Sequence, residues 1–481
     1  MIENPLLTVD SYKTFHDYFL VPGTTKIYSN LTPRASRDAE IKEIVFFGLQ
    51  YFLQEYLTTR MQKGFFDRDI EEVVEEFEKY TAFDTDKIRQ LHELGFLPIE
   101  IKALPEGTKV PLRVPVLTIT NTHEDFYWLT NYIETLMSCV LWLPSTSATT
   151  LNQYRKVAEK AWDRVGGDNG FINIQFHDFS CRGLNSSESS MVAGMAHFVN
   201  FDASDTVPAF YAIDKYYNAS FPTNKIFASE HACMSTGTKI LGSEFDYYKY
   251  LVTEAFPSGL LALVSDTYDY WRVLTEYMPK LKNEILNRTP DENGLVSCAI
   301  RGDSGDPVKI IVGDPDADPN SPEYKGTIEL LWDTFGGEID ENGFKRLNPK
   351  VGAVYGEAIS LDRCDRILNG LIDKGFYPNV FLGLGSWNHC KTRDEFGWAV
   401  KCTYVEHENC GYNVYKDPIT DDGTKKSAKG LLKVERVNGQ LTLKDQVSQE
   451  EEQQGELKTV FKNGVIVNKI TLDQIRNNMR N

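Results

Sequence analysis

The sequence predicts an α/β protein built on a (β/α) barrel, and three observations predict it. Seven short apolar runs recur between residues 172 and 382. Most begin 25–36 residues apart, with one interval of 55, room each time for a crossover helix between parallel strands. Nearly every run ends in residues able to do chemistry, as at a barrel mouth formed by strand C-termini. An open doubly wound sheet is the alternative, and the polar ends on nearly every run favour the barrel.

Taken in order, the first 150 residues mix strand and helix signals. Ile70, Val73, Val74, Phe77 and Tyr80 recur at helical spacing among glutamates, which predicts an amphipathic helix over 67–80. Pro105-Glu106-Gly107 is a turn, and Pro111 and Pro115 bracket short extended runs. Residues 125–142, rich in aromatic and large apolar side chains, read as a largely buried helix. The barrel runs follow. Ile172–Phe176 leads into His177-Asp178, and His197–Phe201 into Asp202. Lys225–Ala228 leads into Ser229-Glu230-His231, and Leu260–Val264 into Ser265-Asp266. Val296–Ile300 leads into Arg301-Gly302-Asp303, Val351–Tyr355 into Gly356-Glu357, and Val380–Leu382 into Gly383. Ala399–Val405 offers an eighth strand. Beyond residue 400 the periodicity is lost. The Glu/Gln-rich stretch 447–456 predicts a solvated, mobile segment. Asn463-Gly464, between Thr459–Lys462 and Val465–Ile470, predicts a hairpin.

The 481 residues carry 51 basic and 69 acidic side chains, a net charge of −18. At roughly 100–200 residues per domain the chain has room for two to four. The acidic balance argues against a sequence-independent nucleic-acid binder, which needs a basic face to release counterions. A local basic pocket remains compatible with it. Met1–Tyr12 lacks the basic start and apolar core of a signal peptide, and no run approaches 18 apolar residues. The expectation is a soluble, cytoplasmic protein without membrane association. Eight cysteines without a CxxC pair predict mostly buried thiols, not a zinc cluster or disulfide framework.

Carboxylates, histidine and arginine crowding one barrel mouth suit a polyanionic, metal-chelated substrate. Arg182, Arg301, Arg393, Lys401, Lys416 and Lys425 are candidate phosphate contacts, although each alone reads as a surface cation. His231 alone reads equally well as a structural histidine, and Phe179 alone as a core aromatic.

As an ordered set these residues are far more specific. Asp10-Ser11-Tyr12-Lys13, His177-Asp178-Phe179 with Arg182-Gly183, Asp205-Thr206-Val207, Glu230-His231 and Val264-Ser265-Asp266 follow one another along the chain. Arg301 with Asp303-Ser304-Gly305, Thr392-Arg393-Asp394, Lys401-Cys402 and Lys416-Asp417-Pro418 continue the series. From about residue 7 to Arg476 the set resembles the nicotinamide phosphoribosyltransferase family.

That resemblance implies a type II phosphoribosyltransferase fold. An irregular β/α barrel over 151–399 would carry the active site, and 1–150 with 400–481 would form an α+β domain. It also implies an obligate homodimer with shared active sites. The reaction implied joins nicotinamide to C1 of 5-phosphoribosyl 1-diphosphate, giving nicotinamide mononucleotide and diphosphate in NAD salvage. Mg²⁺ assists, and ATP is a coupling substrate that phosphorylates a histidine. Phe179 and, from the other subunit, Tyr12 match an aromatic sandwich on nicotinamide. Asp205 matches the acceptor for its carboxamide, and Arg301 and Asp303 match groups around the ribose and reacting centre. His231 matches the phosphorylated histidine, with Glu230 and Asp266 as orienting carboxylates. Arg34, Arg182, Arg393, Lys401 and Lys425 match phosphate and diphosphate contacts. Gly356, Glu357 and Gly385 fall where ribose and phosphate are held. No metal ligand is assigned.

The chain departs from the family pattern at the phosphate loop. Gly383-Leu384-Gly385-Ser386-Trp387-Asn388-His389 puts bulky side chains where bare backbone amides are usual. Gly356-Glu357 replaces Gly-Asp, Gly302 a proline and Ala399 a serine. Two donors therefore stand open: 5-phosphoribosyl 1-diphosphate, or ADP-ribose 1-diphosphate with Trp387 stacking on adenine, which would give NAD directly. Nicotinate phosphoribosyltransferase activity and a non-catalytic nicotinamide-binding role are further alternatives. Asp205 speaks against the first, since nicotinate would face a like charge. Asp205, Glu230, His231, Arg301 and Asp303 occurring together speak against the second.

Overall fold

The computed structural model describes residues 3–168, 170–219, 221, 226–421 and 423–480. The chain divides into two compact units, 1–149 with 211–219 and 391–481, and 150–210 with 220–390.

The second unit is built on an all-parallel, seven-stranded sheet. Its order is Ala203–Ser204, Phe176–Asp178, Phe381–Leu384, Val351–Tyr355, Ser297–Gly302, Leu260–Val264, Ile226–Ala228. One face carries large side chains, among them Leu263, Ile300, Tyr355 and Leu382, packed with Ile367, Leu368 and Leu371 of the helix Leu361–Asp373. The other face carries the smaller Ala262, Ala299 and Val354, against which Phe179 rests. Burial on both faces explains why these strands read as continuous apolar runs.

Three expected strands are placed differently. Ile172–Gln175 is a helical turn, and the strand begins only at Phe176. His197–Phe201 covers the end of the helix Ser187–Asn200, and the strand is Ala203–Ser204. That helix is buried from Val192 to Asn200, so its apolar run carries no strand period. Ala399–His407 is a strand, but it pairs antiparallel with Thr24–Thr32 in the first unit. Among the described residues the parallel sheet is thus a curled half-barrel of seven strands without an eighth. Lys225 lies outside the described residues.

The first unit holds a sheet ordered Cys410–Asn413, Ala399–His407, Thr24–Thr32, Leu117–Asn121, Ile99–Ala103, Lys458–Lys462, Val465–Ile466. The helix Ile70–Tyr80 forms as its spacing predicts; Asp69 caps it, accepting from the Glu71 amide, and Val73, Val74 and Phe77 are buried. Residues 125–142 divide between the turn Glu124–Phe126, the short helix Leu129–Tyr132 and the start of the helix Glu134–Asp163. Asn463 and Gly464 both take positive φ, 51° and 81°, as a two-residue hairpin turn requires. The stretch 447–456 is ordered instead of mobile. Ser448 and Glu451 form a reciprocal capping box on the helix Gln449–Gln453, and buried Glu452 pairs with Lys102 at 2.6 Å. Of the eight thiols only Cys298 and Cys364 are fully buried, while Cys139, Cys233, Cys390 and Cys410 are exposed, contrary to expectation. No helix among the described residues is long and apolar enough to cross a membrane.

Candidate active site

The parallel strands end on a cavity of about 930 Å³. Six of the seven deliver residues to its lining where their ladders stop. Phe179 follows Phe176–Asp178, Asp205 follows Ala203–Ser204, and Glu230 and His231 follow Ile226–Ala228. Arg301 and Asp303 lie at the end of Ser297–Gly302, Gly356 and Glu357 follow Val351–Tyr355, and Gly385 follows Phe381–Leu384. Arg182, on the turn Cys181–Gly183, also lines the cavity.

Two glycines seat the Phe179 ring. A Cβ on Gly383 would stand 2.2 Å from it, and one on Gly356 would stand 3.0 Å from the ring and 2.9 Å from Asp303 Oδ1. The Arg301 guanidinium lies 5.2 Å from the ring centroid and donates to both Asp303 oxygens, at 3.2 and 2.8 Å. Asp303 is held from behind, its amide donating to Asp266 Oδ2 at 2.9 Å while the Ser304 hydroxyl donates to the same oxygen at 2.6 Å. The other Asp266 oxygen is buried without a hydrogen-bond partner and lies 3.7 Å from His231 Nε2. His231 opens the helix His231–Leu241, is half exposed, and has Nδ1 3.1 Å from Thr267 Oγ1. Asp266 therefore links the histidine to the Arg301–Asp303 pair.

The electrostatics divide the acids. Asp205 is accessible from the cavity yet crowded by protein, and this desolvation raises its pKa; Arg301 opposes the shift and Asp178 adds to it. Burial also acts to raise the Asp178 carboxyl, but chiefly the nearby His197 and His389 bring it below the usual range. The Ser180 amide donates to it at 2.9 Å. His177 and His389 are pushed down to about 4 by burial.

Tyr12, Arg34, Arg393, Lys401 and Lys425 belong to the first unit. Tyr12 is 59% exposed on the turn Ser11–Phe19. Arg34 and Lys401 line a separate cavity of about 190 Å³ with Arg113 and Lys426. Burial lowers the pKa of both, with nearby Arg393 adding to each. Arg393 reaches Asp394 at 3.2 Å, and Lys425 lies 3.8 Å from Asp421. Sequence reasoning missed Arg113, Lys426 and, in the strand-end cavity, Arg363. Arg113 takes a left-handed φ of 72° with no motif around it, and Lys426 is masked by its neighbour Lys425. Arg363 had one available signal, its place in the first turn of a helix capped by Ser360.

Among the described residues no group of three or more His, Cys, Asp or Glu side chains is assembled to hold a metal ion. Asp303, Glu357 and the unpaired Oδ1 of Asp266 still offer isolated oxygen donors at or beside the cavity. That set fits a magnesium ion brought in by phosphates, which takes only one or two protein carboxylates.

The chain matches the model of the nicotinate phosphoribosyltransferase family over residues 174–465 and that of the nicotinamide phosphoribosyltransferase N-terminal domain over residues 4–101. It is 44% identical to a nicotinamide phosphoribosyltransferase of Acinetobacter baylyi, over 98% of this chain and 96% of that protein. Its fold is similar to that of a nicotinate-nucleotide pyrophosphorylase from Pyrococcus furiosus, with a TM-score of 0.55 at 15% identity, over 100% of this chain and 95% of that one. It is also similar to human nicotinic acid phosphoribosyltransferase, with a TM-score of 0.51 at 14% identity, over 98% of this chain and 92% of that one.

Proposed function

The chain belongs to the nicotinamide phosphoribosyltransferases within the nicotinate phosphoribosyltransferase family, and from that premise we propose that it joins nicotinamide to C1 of 5-phosphoribosyl 1-diphosphate. The products are nicotinamide mononucleotide, for NAD salvage, and diphosphate. The observation that carries the proposal is the convergence of Phe179, Asp205, Arg301, Asp303 and His231 on one strand-end cavity.

In this reading nicotinamide lies on Phe179, with Tyr12 from the second subunit of a homodimer on its other face. The pyridine nitrogen is a neutral nucleophile, so the protein must position it and need not deprotonate it. Asp205 accepts from the carboxamide N–H. Arg301 and Asp303 hold the ribose side of the reacting centre, and Gly356 and Glu357 its hydroxyls. The C1–O bond to diphosphate breaks as the C1–N bond forms, and positive charge develops on the ring. Arg34, Arg182, Arg393, Lys401 and Lys425 stabilise the phosphates and the leaving diphosphate, several of them from the second subunit. Gly385 lies on the loop facing the 5′-phosphate. Asp303, Glu357 and Asp266 would hold a Mg²⁺ ion, which would supply charge neutralisation on the leaving oxygens. His231 accepts the γ-phosphoryl group of ATP, which leaves as ADP, and Glu230 and Asp266 orient the ring. Placement in the cytoplasm belongs to the same reading.

One observation favours a second donor. Trp387 lines the cavity and is 79% exposed, a free aromatic face beside Gly385 where the family carries a bare glycine loop. With ADP-ribose 1-diphosphate the same C1 chemistry would give NAD. The test is purified protein with nicotinamide, Mg²⁺ and either donor, with products read by mass spectrometry. Nicotinamide mononucleotide from the first tube alone supports the ordinary donor. NAD from the second alone assigns the larger one, and transfer in neither tube removes the transferase reading.

A further inference from the structure

His231 has two ring nitrogens, and each has a different neighbour. Nδ1 lies 3.1 Å from the Thr267 hydroxyl oxygen, within hydrogen-bond reach. Nε2 faces the buried Oδ1 of Asp266 at 3.7 Å, and that oxygen has no hydrogen-bond partner. A carboxylate oxygen accepts hydrogen bonds, so it favours the tautomer that turns an N–H toward it. The ring proton therefore sits on Nε2. Nδ1 keeps its lone pair, and Thr267 is the donor in the bond between them.

The two neighbours also differ in whether they yield. The Asp266 side chain is 6% exposed, and its Oδ2 already accepts from the Asp303 amide at 2.9 Å and the Ser304 hydroxyl at 2.6 Å. Those bonds fix the carboxylate in place, and a phosphoryl group on Nε2 would meet its charge directly. Thr267 lies in the bend that follows the strand Leu260–Val264, and its hydroxyl hangs on one rotatable bond. A hydrogen bond to Nδ1 occupies the lone pair from which a bond to phosphorus would form, and 3.1 Å leaves no room for a phosphorus atom in between. The hydroxyl must turn aside before Nδ1 reacts.

We propose that Thr267 is a positioning residue for the phosphorylation of His231, holding Nδ1 free of a proton at rest and releasing it to ATP. When the hydroxyl turns to another staggered rotamer, Nδ1 attacks the γ-phosphorus. The bond from that phosphorus to ADP breaks, and ADP leaves with the electron pair. The Nε2 proton stays beside Asp266, which balances the positive ring, and the freed hydroxyl donates to a phosphoryl oxygen. This role rests on the phosphohistidine reading of His231; the tautomer and the Thr267 hydrogen bond do not.

The test treats the full-length wild type, Thr267→Ser and Thr267→Val with γ-labelled ATP and Mg²⁺, and separates the two phosphohistidine isomers. Wild type should carry its label on Nδ1. Thr267→Ser keeps the hydroxyl and loses the methyl group, and should label as fast as wild type. Thr267→Val keeps the shape and loses the hydroxyl, and should label about tenfold more slowly, the worth of one hydrogen bond. A residue that only fills space would give the opposite order. Label on Nε2 in wild type, or Thr267→Val labelling as fast as wild type, would overturn the proposal. Nitrogen NMR of the unphosphorylated protein, with His231→Ala to assign the signal, reads the tautomer separately. The Nε2–H form is expected, and the Nδ1–H form would overturn the role of Thr267 as donor. No labelled histidine in wild type, with the Nε2–H form present, would instead remove the phosphohistidine reading and this role with it.

Discussion

The carboxyl of Asp205 faces the cavity with a raised pKa, and Arg301 is the charge that opposes the shift. Asp205→Asn removes the like charge that would meet nicotinate, so the preference for nicotinamide, measured as a ratio of kcat/KM values, should fall about tenfold or more, on the order of 1–2 kcal/mol. Unchanged selectivity would remove Asp205 from the amide site. The pH dependence has the same sign: a raised carboxyl takes up its proton earlier as pH falls, so selectivity should decline on acidification in wild type and not in Asp205→Asn. Gly383 makes a different demand. A methyl group there would meet the Phe179 ring at 2.2 Å, so Gly383→Ala should displace the ring and raise the nicotinamide KM about tenfold or more. Substrate titration of the folded variant checks this.

At the scale of elements, the chemistry sits where backbone order ends. His231 opens a helix beside Asp266, so His231→Ala should abolish stimulation by ATP while leaving unstimulated transfer measurable; retained stimulation would refute the phosphohistidine role. Another helix start is held by buried Glu106, whose Oε1 accepts from the Leu49 amide and the Tyr217 hydroxyl, both at 3.0 Å, and whose Oε2 accepts from the Gln50 amide at 2.9 Å. Burial outweighs these donors and pushes its pKa up to about 7. A carboxyl raised above its unfolded value stabilises the fold fully below that unfolded value, and the contribution is lost as pH rises through about 7. Glu106→Gln, which sets an amide N–H₂ against a backbone donor, should cost about 1–3 kcal/mol, and denaturant titrations should show the gap narrowing from about pH 5 to 8. These elements also show what the sequence makes legible. Leu260–Val264, Val351–Tyr355 and the Asn463-Gly464 turn read correctly because period and turn chemistry are local. The end at Phe201 is illegible because the buried helix Ser187–Asn200 is as apolar as a buried strand, and the one at Phe176 because Ile172–Gln175 is a single helical turn, too short to show a helical period. The order of 447–456 was illegible because the partner of Glu452 is Lys102, 350 residues away.

For the molecule as a whole, the candidate residues fall into two groups on different units, Phe179, Asp205, His231 and Arg301 on one and Tyr12, Arg34 and Lys401 on the other. The ordered motif set made both groups legible. It could not reveal Arg113 and Lys426, which join Arg34 and Lys401 only through the folding of distant segments. If each site draws Tyr12 from a second subunit, Tyr12→Ala and Phe179→Ala proteins should each be nearly inactive. Their heterodimer should recover about a quarter to a half of wild-type activity, because one of its two sites carries both intact rings. No recovery in heterodimers verified by mass would exclude the shared site. The central claim, nicotinamide transfer in the strand-end cavity, is tested most directly by competition. Wild-type protein would receive equimolar nicotinamide and nicotinate with Mg²⁺ and the donor that supports turnover, and the two nucleotide products would be counted by mass spectrometry. The account predicts that the nicotinamide product dominates by tenfold or more, on the order of 1.4 kcal/mol of discrimination; a dominant nicotinate product would contradict it.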